Sequence, residues 1–171
     1  LPPFTKVSTL IINGEEISFE IGNMAKAANG SVLVRYRDNV LLITATMSNP
    51  RPGIDFFPLI VDFEEKLYAR GKIPGGFFRR EGRPSSSAIL SARLIDRTLR
   101  PLFPESFRHE VAIVILPFAV DLTTPLDWLG LIGANLALSI SDIPFNGPVS
   151  ATNIGYLNGD LISNPTYEQL D

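Results

Sequence analysis

No cysteine occurs in the chain, and histidine occurs once, at His109. The first absence excludes a disulfide framework and a thiolate metal centre, and it is compatible with a reducing compartment. The second excludes a multi-histidine metal site. His109 itself is expected at the exposed start of a strand. No apolar run approaches the ~18–20 residues of a membrane-spanning helix. The longest, 111–120, contains Pro117 and reads as a strand. No charged stretch followed by an apolar one marks a signal peptide, so a cytoplasmic protein without membrane contact is expected. The chain opens on Leu1 rather than Met, as expected of a fragment or a processed piece. Residues 71–76 are glycine-rich but lack the spacing of a nucleotide-binding fingerprint, and no Gly-Lys-Ser/Thr follows. No serine lies in a nucleophile-elbow pattern. Asp62, Glu64 and Glu65 are a carboxylate group that could attract a divalent cation, but a solvated strand end accounts for them.

What remains is an ordinary globular composition with an uneven charge. The 171 residues, 45% apolar and 19% charged, suit one domain spanning 1–171. The net charge is −3. Residues 70–108 nevertheless carry nine basic side chains against three acidic ones. A basic segment in an acidic chain calls for an anionic partner.

Asn13-Gly14 between short apolar runs (7–12 and 16–21) predicts a hairpin, because both residues tolerate positive φ. Residues 22–30 are small and alanine-rich and suggest one helical turn. Residues 31–37 and 40–47 predict a second hairpin about Asp38-Asn39, and 56–63 a further buried strand. Pro84 and three serines then offer an N-cap to a helix over 88–99. Ala88, Ala92, Ile95 and Leu99 share one face of it, and Arg93, Arg97 and Arg100 another. Pro101 and Pro104 stop the helix. A central strand over 111–120 precedes a helix capped by Thr124, with Pro125 first and Asp127 near its positive end. That helix reads to about 141, with Gly130, Gly133, Ala134 and Ala137 suited to close packing on a sheet. A last hairpin is expected over 149–157 and 160–162, turning at Asn158-Gly159. The order of elements gives an α+β (mixed α/β) domain of two layers.

Three features carry candidate chemistry. Phe77, Phe78, Arg79 and Arg80 end the glycine-rich loop. Aromatic rings stack on bases while guanidinium groups hold phosphates, so the pairing points to single-stranded nucleic acid. A ring plugging the core beside solvated arginines is the plainer alternative. Arg93, Arg97 and Arg100, at i, i+4 and i+7, form a stripe able to follow a phosphate backbone. The same stripe also suits a salt-bridged surface, since Asp96 can pair with Arg93 or Arg100. Arg83 follows the loop. Composition and spacing support an RNA- or single-stranded-DNA-binding surface and reveal no catalytic centre.

Several blocks in order resemble a known family: 55–59 (DFFPL), 64–69 (EEKLYA), 71–77 (GKIPGGF), 80–84 (REGRP), 93–97 (RLIDR), 100–104 (RPLFP) and 137–148 (ALSISDIPFNGP). Together they are similar to the first RNase PH-like core of the bacterial polynucleotide phosphorylases, over essentially the whole chain. The resemblance implies phosphate-dependent 3′→5′ degradation of RNA to nucleoside diphosphates, and the reverse polymerisation. It also implies inorganic phosphate as co-substrate, Mg²⁺ or Mn²⁺ held elsewhere in a longer polypeptide, a homotrimeric ring and contact with RNA degradosome components. In that family the phosphate and metal sites lie in a second core. The first core lines the RNA channel with a loop that falls here on Phe77, Phe78, Arg79 and Arg80. Arg93, Arg97 and Arg100 match basic positions facing the RNA path.

The departures from the pattern bear on activity. Single-core enzymes of this type hold phosphate with two arginines. One aligns with Arg83. The other belongs at the start of the second long helix, where this chain has Pro125-Leu126-Asp127-Trp128. Thr98 stands where proline is usual. A guiding core of a larger exoribonuclease is therefore expected, with no catalytic residue and no metal ligand of its own. The alternative is a non-catalytic RNA-binding and assembly subunit of an exosome-like ring.

Overall fold

The computed structural model describes residues 5–170. Strands β1 (Lys6–Ile12) and β2 (Glu15–Ile21) form the first hairpin. It turns at Asn13 and Gly14, with φ of 54° and 78°. β3 (Gly30–Tyr36) and β4 (Asn39–Ser48) form the second, about Arg37 and Asp38. β5 (Leu59–Phe63) leads through a loop into helix α1 (Ser86–Leu99), and α1 leads into β6 (Glu110–Ala119). Helix α2 (Asp127–Ser139), the hairpin β7 (Ile154–Leu157) and β8 (Asp160–Ser163), and the short α3 (Tyr167–Leu170) complete the chain.

Six strands make one sheet in the order β1-β2-β3-β4-β6-β5. Every pairing is antiparallel except β5 with β6, which is parallel. A parallel neighbour needs a crossover, and the loop with α1 supplies it. Alternate residues of the inner strands face the two helices: Val32 and Val34, Leu41 and Ile43, Ile113 and Ile115 are all buried. The α+β two-layer fold expected from the element order is the fold observed.

Helix α2 lies flush on the sheet. A Cβ added at Gly133 would stand 2.5 Å from Ile43 Cδ1, and one at Gly130 would stand 3.1 Å from Phe63 Cε2. The start of β3 comes closer still, where a Cβ at Gly30 would meet the Ala137 carbonyl oxygen at 2.0 Å. The small residues read from the sequence as a packing face serve that purpose.

Several local expectations are corrected. Residues 22–29 form bends and one turn rather than a helical turn, with Ala25 at φ 50°, and Gly30 already belongs to β3. The fifth strand begins at Leu59, since Pro58 cannot donate to a ladder. Phe57 instead joins Phe103 and Phe107, at ring-centroid distances of 4.6 and 5.5 Å. Helix α1 starts at Ser86, two residues early, because Ser85 is the cap and its Oγ accepts the Ala88 N–H at 3.0 Å. Thr98, where proline is usual, returns its hydroxyl to the Leu94 carbonyl at 2.9 Å. The first strand of the last hairpin is shorter than expected, its second runs one residue further, to Ser163, and α2 ends at Ser139.

Thr124 does not cap α2. Its hydroxyl donates to Asp121 at 2.8 Å, and the residue before the helix is Leu126. Asp121 also accepts the N–H groups of Thr123 and Thr124 and, at 2.7 Å, the amide of the fully buried Asn39. Asn39 in return accepts the Asp121 N–H at 3.0 Å. This pair ties the β3–β4 turn to the chain leaving β6. Burial opposes ionisation of Asp121. The N–H groups of Thr124 and Thr123 and the side chains of Thr124 and Asn39 outweigh it and hold the carboxyl below the usual aspartate range.

Asp121→Ala should destabilise the fold by about 1–3 kcal/mol at neutral pH, since it removes the acceptor that the buried Asn39 amide shares with Thr123 and Thr124. The folded-state pKa lies below the unfolded one. The stabilisation from ionised Asp121 is therefore complete above the unfolded value and is lost as pH falls below about 4. Urea denaturation at pH 7 and at pH 3 checks both statements: the gap between wild type and Asp121→Asn should narrow at the lower pH.

Candidate nucleic-acid interface

The loop joining β5 to α1 grows out of a single 3-10 turn, Leu67–Arg70. That turn ends on Gly71 in the left-handed region, whose N–H returns to the Tyr68 carbonyl at 2.9 Å. The next residues run outward. Gly75, Gly76 and Gly82 have open space where a Cβ would be. At the tip, Arg79 adopts φ 48° and its N–H closes a turn on the Gly76 carbonyl at 2.9 Å. Phe77 is 95% exposed and Phe78 77%. Their rings meet edge to face at 5.3 Å. Neither ring plugs the core, so that alternative is closed. Leaving a phenylalanine in water forgoes roughly 1.5–3 kcal/mol of burial. Two adjacent exposed rings thus stand beside Arg79 and Arg80 at the loop tip, packed against no core.

Arg83 follows on the descending arm. It lines an open cleft of about 470 Å³ together with Lys66, Arg70 and the acids Glu64, Glu65 and Glu81. Glu65 was expected to be solvated and is engaged. It accepts the hydroxyls of Ser85 and Ser87 and lies 3.8 Å from Arg70. Glu64 pairs with Lys66 at 2.6 Å. That hydrogen bond, against slight desolvation, raises the Lys66 ammonium above its ordinary range.

A second groove, about 420 Å³, runs between β5 and the side of α1 and is lined by Arg93, Arg100, Asp62 and Asp96. The three arginines of the stripe do not behave alike here. Arg100 is committed internally. Its Nε and Nη2 donate to both oxygens of Asp96, at 3.2 and 2.6 Å. Nη1 and Nη2 also donate to the carbonyls of Phe57 and Leu59, at 3.0 and 3.2 Å. The guanidinium further lies 5.8 Å from the Phe57 ring centroid. It clamps the end of α1 to the strand entering the sheet. The choice left open for Asp96 falls to Arg100. Among the described residues, Arg79, Arg80, Arg83, Arg93 and Arg97 form no ion pair. All five are exposed.

The position expected to lack a phosphate-binding arginine is filled. Trp128 is 2% exposed, with its ring edge-on to Tyr36 at 5.1 Å. Asp127 accepts the Trp128 N–H at 2.9 Å and the Asn153 amide at 3.0 Å. Among the described residues no three His, Cys, Asp or Glu side chains converge to hold a metal ion. No helix there is long and apolar enough to cross a membrane. His109 stacks on Phe107 at 5.3 Å, and its Nδ1 lies 3.1 Å from the Ser48 carbonyl oxygen.

Residues 14–144 match the family model described as "3′ exoribonuclease family, domain 1", RNase PH. The chain belongs to this family. Among similar proteins, the polyribonucleotide nucleotidyltransferase of Heliobacterium modesticaldum is 57% identical over 97% of this chain and 24% of its own length. That of Bacillus cereus (strain 03BB102) is 52% identical over 96% of this chain and 23% of its own. The chain thus spans about a quarter of the curated relatives it matches. The crystal structure of rice (Oryza sativa) Rrp46 superposes with a TM-score of 0.65, covering 96% of this chain and 70% of that one. At 14% identity this likeness concerns the fold alone. The RNase PH fold read from the sequence blocks is the one found.

Arg100→Lys replaces a four-bond fork with a point charge. It should destabilise the domain by about 1–3 kcal/mol, whereas Arg93→Ala and Arg97→Ala should stay within ±0.5 kcal/mol. Thermal unfolding of the three variants side by side checks the division of labour.

Proposed function

We propose that this core guides single-stranded RNA in a phosphorolytic 3′→5′ exoribonuclease, a polyribonucleotide nucleotidyltransferase. The observation that carries the reading is the loop tip, with two exposed rings beside two unpaired guanidinium groups. Stacking tolerates any base, and phosphate contacts exchange along a strand. Such a surface holds RNA without fixing its register, as threading requires. Arg93 and Arg97 on α1, with Arg83 between loop and helix, extend the cationic track. Arg100 contributes by holding α1 in place beside it.

The reaction assigned to the whole protein is attack by an oxygen of inorganic phosphate on the phosphorus of the last internucleotide bond. The P–O3′ bond of the penultimate nucleotide breaks. The products are a nucleoside diphosphate and an RNA one residue shorter with a free 3′-hydroxyl. The reverse reaction polymerises. Among the described residues no cluster of acidic or histidine side chains fits a metal, so no step through Mg²⁺ or Mn²⁺ is derived from them. The buried Trp128 and the engaged Asp127 likewise supply no phosphate-binding cation at the start of α2. The burial of Trp128 and the engagement of Asp127 support a guiding rather than a chemical role for this segment. The homotrimeric ring, the degradosome contacts and the cytoplasmic location belong to the same proposal.

Phe77→Ala with Phe78→Ala should weaken binding of an oligoadenylate at least about tenfold, since stacking contributes roughly 1–3 kcal/mol per base. Arg97→Ala should flatten the salt dependence of that binding by about 0.7 in the log–log slope for one lost phosphate contact. Fluorescence anisotropy across a salt series reads both. Unchanged affinity in the double phenylalanine variant would remove the basis of the proposal. Phosphate-dependent release of nucleoside diphosphate by this chain alone would contradict the assignment of chemistry elsewhere.

A further inference from the structure

Glu81 stands out in its surroundings. It is one of three acidic residues among the nine basic ones of residues 70–108, and it directly follows Arg80. A carboxylate beside an RNA-gripping tip repels phosphate. Its place there calls for a compensating task, and the geometry shows one.

Leu67 opens the 3-10 turn, so its N–H has no partner within the turn. The preceding residue, Lys66, makes no capping bond with its side chain. Glu81 supplies the cap from 14 residues downstream, its Oε1 accepting the Leu67 N–H at 3.0 Å. The Leu67 carbonyl meanwhile accepts the Lys72 N–H at 3.0 Å. Both arms of the loop thus grip one residue, Lys72 from the ascending side and Glu81 from the descending side. The turn beneath is fixed to the end of β6, where the Val120 N–H reaches the Ala69 carbonyl at 3.1 Å.

We infer that Glu81 is a positioning residue: by capping Leu67 it closes the neck of the 71–84 loop and sets where Phe77, Phe78, Arg79 and Arg80 stand relative to Arg93 and Arg97. This rests on the RNA-guiding function proposed above. A loop with an open neck samples many orientations, and binding must then order it. An ionised acceptor makes a stronger bond to an N–H than a neutral one. The same residue keeps the tip presented between encounters with RNA, at the cost of one unfavourable charge.

The test compares Glu81→Ala and Glu81→Gln in the full chain with two readouts. Hydrogen exchange at the Leu67 amide reports the cap without RNA. Oligoadenylate affinity reports positioning. For Glu81→Ala, Leu67 exchange should rise at least about tenfold, with the melting temperature nearly unchanged, because the opening is local. Its RNA affinity should fall about five- to tenfold, although simple electrostatics predicts tighter binding once a negative charge is removed. Glu81→Gln, whose amide oxygen still accepts, should keep both properties within about threefold of wild type. Unchanged Leu67 exchange in Glu81→Ala would overturn the cap. Raised exchange with RNA bound as tightly as in wild type, or tighter, would overturn the positioning role. If the double phenylalanine variant binds RNA normally, the RNA-guiding function itself fails, and with it the inference, whatever Leu67 reports.

Discussion

Helix α2 can lie on the sheet only because glycine stands wherever the two would otherwise collide. The Ala137 carbonyl oxygen would be 2.0 Å from a Cβ at Gly30, closer than any side chain permits. This contact decides the layout of the rest. With α2 over β3 and β4, the remaining space for a second helix lies over β5, at the rim. Helix α1 therefore buries Ala88, Ile95 and Leu99 inward and leaves its basic side in solvent. The loop that feeds α1 leaves the sheet at the same rim. The candidate interface is thus a consequence of how the centre packs: the edge of the domain is where a basic helix face and an exposed loop can meet.

Within that rim, the carboxylates sort the arginines into two kinds. Asp96 engages Arg100, which clamps α1 to the entry of β5. Glu65 lies near Arg70 and holds the hydroxyl of Ser85, the residue that caps α1. Among the described residues, those without an ion pair include the arginines of the loop tip, the descending arm and the outer face of α1. A bidentate, fully engaged guanidinium has few donors left for a phosphate, whereas a solvated one has all five. Charge count alone therefore overstates the number of uncommitted guanidinium groups, and the hydrogen-bond partners correct it.

Much of this was legible in the sequence, and the limits have a physical cause. Asn13-Gly14 and Asn158-Gly159 announce their hairpins because positive φ is a local property, and the structure shows it at all four residues. The buried face of α1 follows from a 3.6-residue period, which is also local. The exposed tip was legible because two rings in a glycine-rich loop have no periodic reason to be buried. What periodicity cannot report is where the end of a long or polar side chain arrives. Asn39 finds Asp121 82 residues away, and Arg100 finds carbonyls 43 and 41 residues back. Thr124 had every local mark of a helix cap, and lost that task because Asp121 was nearer to its hydroxyl. The two carboxylates at the loop's neck were similarly hidden, since their partners lie across a loop and not along an element.

The packing at the start of α2 leaves no place for a cation. A phosphate site there would need a cation at the helix's positive end, open to solvent. Here Asp127 already takes the Trp128 N–H, and Asn153 reaches it from the far side. The indole fills the adjoining space against Tyr36, and its N–H has no acceptor among the described residues. An unpaired buried donor costs about 1–3 kcal/mol, so the ring's place there rests on packing rather than on polar contact. Restoring a guanidinium at Trp128 would not restore a site. It would bury a charge where a hydrophobic ring now stands, beside one carboxylate whose lone pairs are already partly used. The absence of a cation at the start of α2 is thus built into its packing. The exposed rings and the arginines without ion pairs stand instead on the loop between β5 and α1 and on the outer face of α1.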